Sequence, residues 1–134
     1  MTCETAVQEI LTEAATITAL CPATRIRTPG AWQNMDRPYI VHFPVSIEPI
    51  RTHEGLQELT LWAYYQVSIF SDSYSTGKAL ADAVIAALDG QHLVSSPAQG
   101  LDIQFQPGTF YLGWDDLSAV HHFALNFRIA EALV

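Results

Sequence analysis

Residues 57–90, QELTLWAYYQVSIFSDSYSTGKALADAVIAALDG, contain a change of period that decides the fold. Leu59, Leu61, Ala63, Tyr65, Val67 and Ile69 alternate with Thr60, Trp62, Tyr64, Gln66, Ser68 and Phe70. A period of two is the signature of a β-strand, with the first set facing a core. Asp72 or Ser73 then supplies an N-cap. Leu80, Ala81, Val84, Ile85 and Leu88 follow at helical spacing, and Gly90 suits the position just past a helix end. A strand thus runs straight into a helix that covers one face of its sheet. The other face carries Trp62, Tyr64 and Phe70 and needs a different cover.

Upstream, Tyr39, Val41, Phe43, Val45 and Ile47 alternate with His42, Ser46 and Glu48. This predicts a half-buried strand with the apolar set inward, and Pro44 hints at an edge or a bulge. Residues 48–56 form the extended tip of the hairpin joining the two strands. Val7, Ile10, Leu11, Ala14 and Ile17 define one amphipathic helix over residues 3–20, with Glu4 at its dipole-positive end and Pro22 stopping it. Residues 22–38 read as irregular, with a short strand at Arg25–Arg27, and hold Trp32 and Met35. Downstream, 91–100 reads as loop. Residues 101–106 and 109–113 read as strand interrupted at Pro107-Gly108. Residues 118–129 form a last strand with Phe123, Leu125, Phe127 and Ile129 inward and His122, Asn126 and Arg128 outward. The order α-β-β-α-β-β predicts one α+β domain over 1–134: an antiparallel or mixed sheet of about four strands with two helices on one face.

Composition narrows the function. The 134 residues carry 6 basic and 14 acidic side chains, a net charge of −8, and only 15% are charged, against about 25% in an average domain. Much of the surface is therefore neutral, which suits burial against another subunit. There is no apolar run of the length a membrane span needs. Glu4 and Glu9 without a basic stretch do not make a signal peptide. The acidic balance, with Arg25, Arg27, Arg37, Arg51, Lys78 and Arg128 scattered, is not a nucleic-acid footprint. Cys3 and Cys21, at the two ends of the expected helix, would stand about 27 Å apart. Free thiols are expected.

No catalytic constellation emerges, and neither a cofactor nor a metal is expected. Ser75-Thr76-Gly77-Lys78-Ala79 is close to a phosphate loop but has Asp72 where the first glycine belongs and Ala79 where Ser or Thr belongs. His121 and His122 are strand neighbours that point to opposite faces and cannot share a metal without a bulge. Asp115-Asp116, after Trp114, read as solvated turn carboxylates. Glu54 and Glu58 read the same way. No Gly-x-Ser-x-Gly nucleophile elbow is present. An enzymatic or ligand-binding alternative needs a pocket in which His42, His122 and Tyr64 converge.

The chain resembles the tail completion family of tailed bacteriophages, the tail terminator or head-tail joining proteins. The resemblance rests on the N-terminal helix, Arg25-Ile26, Pro38-Tyr39-Ile40-Val41, the run Val67-Ser68-Ile69-Phe70-Ser71-Asp72-Ser73-Tyr74, the helix end Ala83–Gly90 and the closing strand Phe123–Ile129. It implies a non-enzymatic virion protein, assembled in host cytoplasm and placed at the tail–neck junction. It further implies a self-assembled ring, six subunits in most relatives, that touches the tail-tube protein and the neck stopper and lets DNA pass. A neck stopper or tail-tube protein is the neighbouring alternative, and a gene transfer agent the neighbouring context. Trp32, Ile50, Arg51, His53, Trp62, Tyr64, Phe70, Trp114, Asp115 and Asp116 are the expected interface residues.

Overall fold

The computed structural model describes residues 3–29, 37–49, 60–95, 99–106, 111–115 and 120–132. Helix α1 spans Cys3–Glu13, α2 Ala15–Thr18 and α3 Tyr74–Leu88. The strands are β1 Ile26–Arg27, β2 Tyr39–Pro49, β3 Thr60–Ser71, β4 His92–Ser95, β5 Gln99–Gln106, β6 Tyr111–Asp115 and β7 Val120–Ala132. They form a single sheet in the order β1-β2-β3-β7-β5-β4, with β6 also paired to β7. Only β1–β2 is parallel; every other pairing is antiparallel. The α+β class, the mixed sheet and the helical layer on one face are as the residue pattern predicts.

Strands β5 and β6 are two segments of one interrupted strand lying along β7. Gln106 faces Asn126, and Tyr111 faces Phe123. Four residues separate the segments on one side and two on the other. The interruption expected at Pro107-Gly108 lies outside the described residues. The stretch 91–100, expected to be loop, contains β4, whose Leu93 and Val94 pair with Leu101 and Gly100. Four residues are too few to show a period. Trp114 and Asp115, expected in a turn, end β6 opposite His121 and Val120.

The core lies between the helices and one sheet face. Ala63, Tyr65, Val67 and Ile69 of β3 and Phe123, Leu125, Phe127 and Ile129 of β7 point into it, as the alternation predicts. Leu80, Ala81, Val84 and Leu88 of α3 and Val7, Leu11 and Ile17 from the N-terminal helices cover them. Burying each large apolar side chain stabilises the fold by about 1.5–3 kcal/mol. Gly77 is the point of closest approach. A Cβ there would run into the Phe123 ring edge, with Ser71 Cβ at 3.3 Å.

Two local features differ from the residue pattern. The helix expected over 3–20 breaks at Ala14, which is extended at φ −76° and ψ 110°. Thr12 Oγ1 donates back to the Gln8 carbonyl at 2.8 Å and Thr18 Oγ1 to the Ala14 carbonyl at 3.2 Å, a habit that weakens and bends helices. The break lets Ile17 and Cys21 turn into the core. Ser73 is the N-cap residue of α3, but its hydroxyl makes no capping bond and instead meets Ser75 Oγ at 2.9 Å. Ser71 Oγ accepts the Ser73 N–H at 3.2 Å, and Asp72 pairs with Arg37 at 3.0 Å. At the other end Gly90, at φ +78°, occupies the expected position. Its N–H donates to the Ile103 carbonyl at 2.9 Å, tying α3 to β5.

Candidate functional site

Strand β2 presents the reverse of its expected face. Ile40 and His42 lie in the core, whereas Tyr39, Val41 and Phe43 lie on the sheet face away from the helices. Register is the cause. Ile40 pairs with Ile69 and His42 with Val67, both core residues of β3, while Tyr39 pairs with Phe70 and Val41 with Ser68. Both sides of β2 are apolar enough to be buried, so its partner strand decides. The bulge between Pro44 and Ser46 then resets the alternation, and Val45 is 60% exposed.

His42 is fully buried and fully bonded. Its Nε2 meets Gln8 Oε1 at 2.6 Å and its Nδ1 meets Tyr65 Oη at 2.6 Å. Gln8 Nε2 donates to the Ile26 carbonyl at 2.8 Å. Gln8 Oε1 can only accept, so His42 carries its proton on Nε2 and Nδ1 accepts from the Tyr65 hydroxyl. This chain of bonds ties α1, β1, β2 and β3 together with one neutral tautomer. Burial lowers the His42 pKa to about 4, because the charged ring has no water. Cys21 is a free, buried thiol whose pKa burial raises to about 11. It is chemically inert in the folded chain.

His122 lies on the opposite side of the sheet from His42. The pocket that an enzymatic reading needs, with His42, His122 and Tyr64 converging, is therefore not formed. His121 and His122 also diverge, as strand geometry requires. His121 Nδ1 lies 3.0 Å from Tyr111 Oη on the helix side, while His122 stacks on Phe70 on the far side with centroids 4.3 Å apart.

The far side is the candidate site. Tyr39, Phe70 and His122 form a stack across three strands, with Tyr39 and Phe70 centroids 4.8 Å apart. Beside it is a depression of about 340 Å³. Its walls are Pro29, Val41, Phe43 and Phe70. Its polar groups are Gln66, Ser68 and His122, with Gln66 Nε2 donating to Ser68 Oγ at 2.8 Å. His122 Nε2 is buried and has no hydrogen-bond partner among the described residues. Burial also lowers the His122 pKa. Leaving such a nitrogen unpaired costs about 1–3 kcal/mol. Among the described outward positions of β3, β5 and β7 the charged side chains are Asp102 and Arg128. The described helices cover none of this face, which is sparsely charged and partly aromatic.

Of the ten expected interface residues, Tyr64 and Phe70 have described side chains, and both lie on this face. Tyr64 is 38% exposed. Trp62 sits in β3 at the register of Glu48 and Ala130, and Trp114 and Asp115 sit in β6. Trp32, Ile50, Arg51, His53 and Asp116 lie outside the described residues. The residue pattern placed Tyr39, Val41 and Phe43 inward and so missed them as members of the face. The available signal was the aromatic second set of β3, Trp62, Tyr64 and Phe70, which needed a neighbouring strand to extend it.

Comparisons with known proteins agree with this architecture. Residues 5–131 match the model of the family described as "Tail completion protein gp17". A chain in the structure titled "Virion of native gene transfer agent (GTA) particle" has the same fold. Its TM-score is 0.77 at 21% identity, covering 98% of this chain and 95% of that one. A search of curated proteins finds no match. A family match over nearly the whole length establishes that the chain belongs to the tail completion protein gp17 family, as a structural protein of a phage-type tail.

Proposed function

We propose that this protein is a tail terminator or head-tail joining subunit that acts by assembly. Copies close into a ring, six in number, that caps the tail tube, meets the neck stopper protein and lets DNA through. Assembly takes place in host cytoplasm, and the protein carries out no catalysis. The observation that carries the reading is the far sheet face: sparsely charged, stacked and left uncovered by the described helices. A net charge of −8 works against self-association, and a sparsely charged face adds little to that repulsion. The same net charge favours DNA sliding past over DNA sticking, since retention of a polyanion comes from basic side chains.

The test is cryo-electron microscopy of native particles with this chain located in the map. One ring at the head-proximal end of the tail is the expected result, and its subunit count tests the number six. Repeated layers along the tail would make it a tube protein instead. A position within the neck, away from the tube end, would make it a stopper.

A further inference from the structure

The two parallel strands constrain the chain that joins them. β1 pairs with β2 in parallel, Ile26 with Ile40 and Arg27 with Val41. Parallel neighbours need a crossover, which returns the chain over one face of the sheet. Such crossovers are almost always right-handed.

Handedness selects the face. β3 and β5 both run antiparallel to β7, so they are parallel to each other. Their connection contains α3, which packs on the covered face. In the order β1-β2-β3-β7-β5 this crossover advances from β3 towards β5. The crossover from β1 to β2 advances the same way along the sheet. Its strands point the opposite way, because β2 is antiparallel to β3. With the strands reversed and the advance unchanged, a right-handed connection must lie on the opposite face. The chain between β1 and β2 is therefore expected across the far face, not beside α3.

Both described ends of that connection agree. Pro29, just past β1, is a wall of the far-face depression, together with Val41 and Phe43. Arg37 pairs with Asp72, just beyond the pairing of Tyr39 with Phe70. The level of Phe43 and that of Arg37 differ by about six strand residues, roughly 20 Å. The eight peptide steps from Pro29 to Arg37 reach at most about 28 Å, which leaves little slack. The residues between them include Trp32, three along from Pro29. The depression holds about 340 Å³, enough for one large ring, and Pro29, Val41, Phe43 and Phe70 make its walls apolar.

We infer that residues 30–36 return over the far face and that Trp32 fills the depression, packed on Val41, Phe43 and Phe70 of its own chain. The aromatic end of the face is then closed within one subunit. The end left for neighbouring copies is the one with Tyr64 and Asn126, both exposed. The inference does not depend on the ring reading above.

The test uses the full-length chain in solution, with isotopically light and heavy copies mixed. The photoreactive residue p-benzoylphenylalanine replaces Trp32. The expected product is a crosslink within one chain, joining residue 32 to 41–43 or 66–70. The same probe at Gln66 covers failure of the first variant to fold, and it should capture 30–36 of its own chain. Products joining light to heavy copies would make Trp32 a contact between subunits and overturn the inference. Capture of α1 or α3 by the probe at 32 would place the segment on the covered face and overturn it too. So would the absence of capture by both probes. A double-mutant cycle isolates the contact. Trp32→Ala should raise the unfolding equilibrium constant about tenfold or more in the parent chain and clearly less in Phe43→Ala. Equal effects in both backgrounds would overturn the packing.

Discussion

The two faces of this sheet treat the same residue type in opposite ways. On the covered face His42 has both ring nitrogens bonded within the chain, through Gln8 and Tyr65. On the open face His122 is stacked on Phe70 but has an unpartnered nitrogen among the described residues. The covered face is finished by its own polypeptide. The far face is ordered by its ring stack, but the buried His122 nitrogen has no partner among the described residues.

Breaking the two faces should therefore have unequal consequences. Phe127→Ala, in the covered core, should cost about 3–5 kcal/mol, read as a lower urea midpoint. Phe70→Ala removes a half-buried member of the open stack and should cost only about 1 kcal/mol in the isolated chain. It should nonetheless impair incorporation into tails. Equal stability losses would erase the distinction.

Acid should report on the covered face. The folded His42 pKa is depressed to about 4 from an ordinary 6.5. Below pH 6.5 the unfolded chain binds a proton that the folded chain refuses. Stability therefore falls as pH drops from 6.5 towards 4 and the effect levels off below. Integrated over that window the loss is roughly 3 kcal/mol. His42→Gln should be less stable at pH 7 but show a flatter urea midpoint across pH 7 to 4. An unchanged slope would mean that His42 is not the titrating group.

Gly77→Ala tests how tightly α3 lies on the covered face. The added methyl meets Phe123, and the cost should be about 1–3 kcal/mol by urea unfolding, although alanine favours helices. A stabilised variant would show that the helix has room to shift.

His122→Phe should be close to neutral, within about 0.5 kcal/mol, because it removes an unpaired nitrogen and keeps a ring on the stack. The same change at His42 would strand Gln8 and Tyr65 and should be clearly destabilising. The exposed Lys78–Asp82 pair makes the smallest contribution. Lys78→Ala should shift stability by no more than about 0.5 kcal/mol.

How far the chain was readable from its residues varies by element. Strands β3 and β7 and helix α3 were legible because one side of each is more apolar than the other and the period is unbroken. The first helix was legible as an amphipathic stretch, but its break at Ala14 was not, since threonine back-bonding is a choice of rotamer. Strand β4 was invisible because four residues next to Ser-Ser-Pro show no period. The candidate face was half legible. Trp62, Tyr64 and Phe70 announced a second apolar side on one strand, but nothing local joined Tyr39, Val41 and His122 to it.

The sequence by itself determined the α+β class, the helix that follows β3, the inward sets of β3 and β7 and the scarcity of charge. Each of these depends on residues close in the chain or on composition alone. Only the tertiary structure decided which face of β2 is buried, why a histidine belongs in the core, and which side chains share the open face. Those outcomes depend on partners far apart in sequence. Gln8 and Tyr65 lie 34 and 23 residues from His42, and β7 joins β3 across the intervening helix. A polar ring becomes a core residue only once distant groups satisfy its hydrogen bonds, and a strand with two apolar sides takes its orientation from the register of its neighbour.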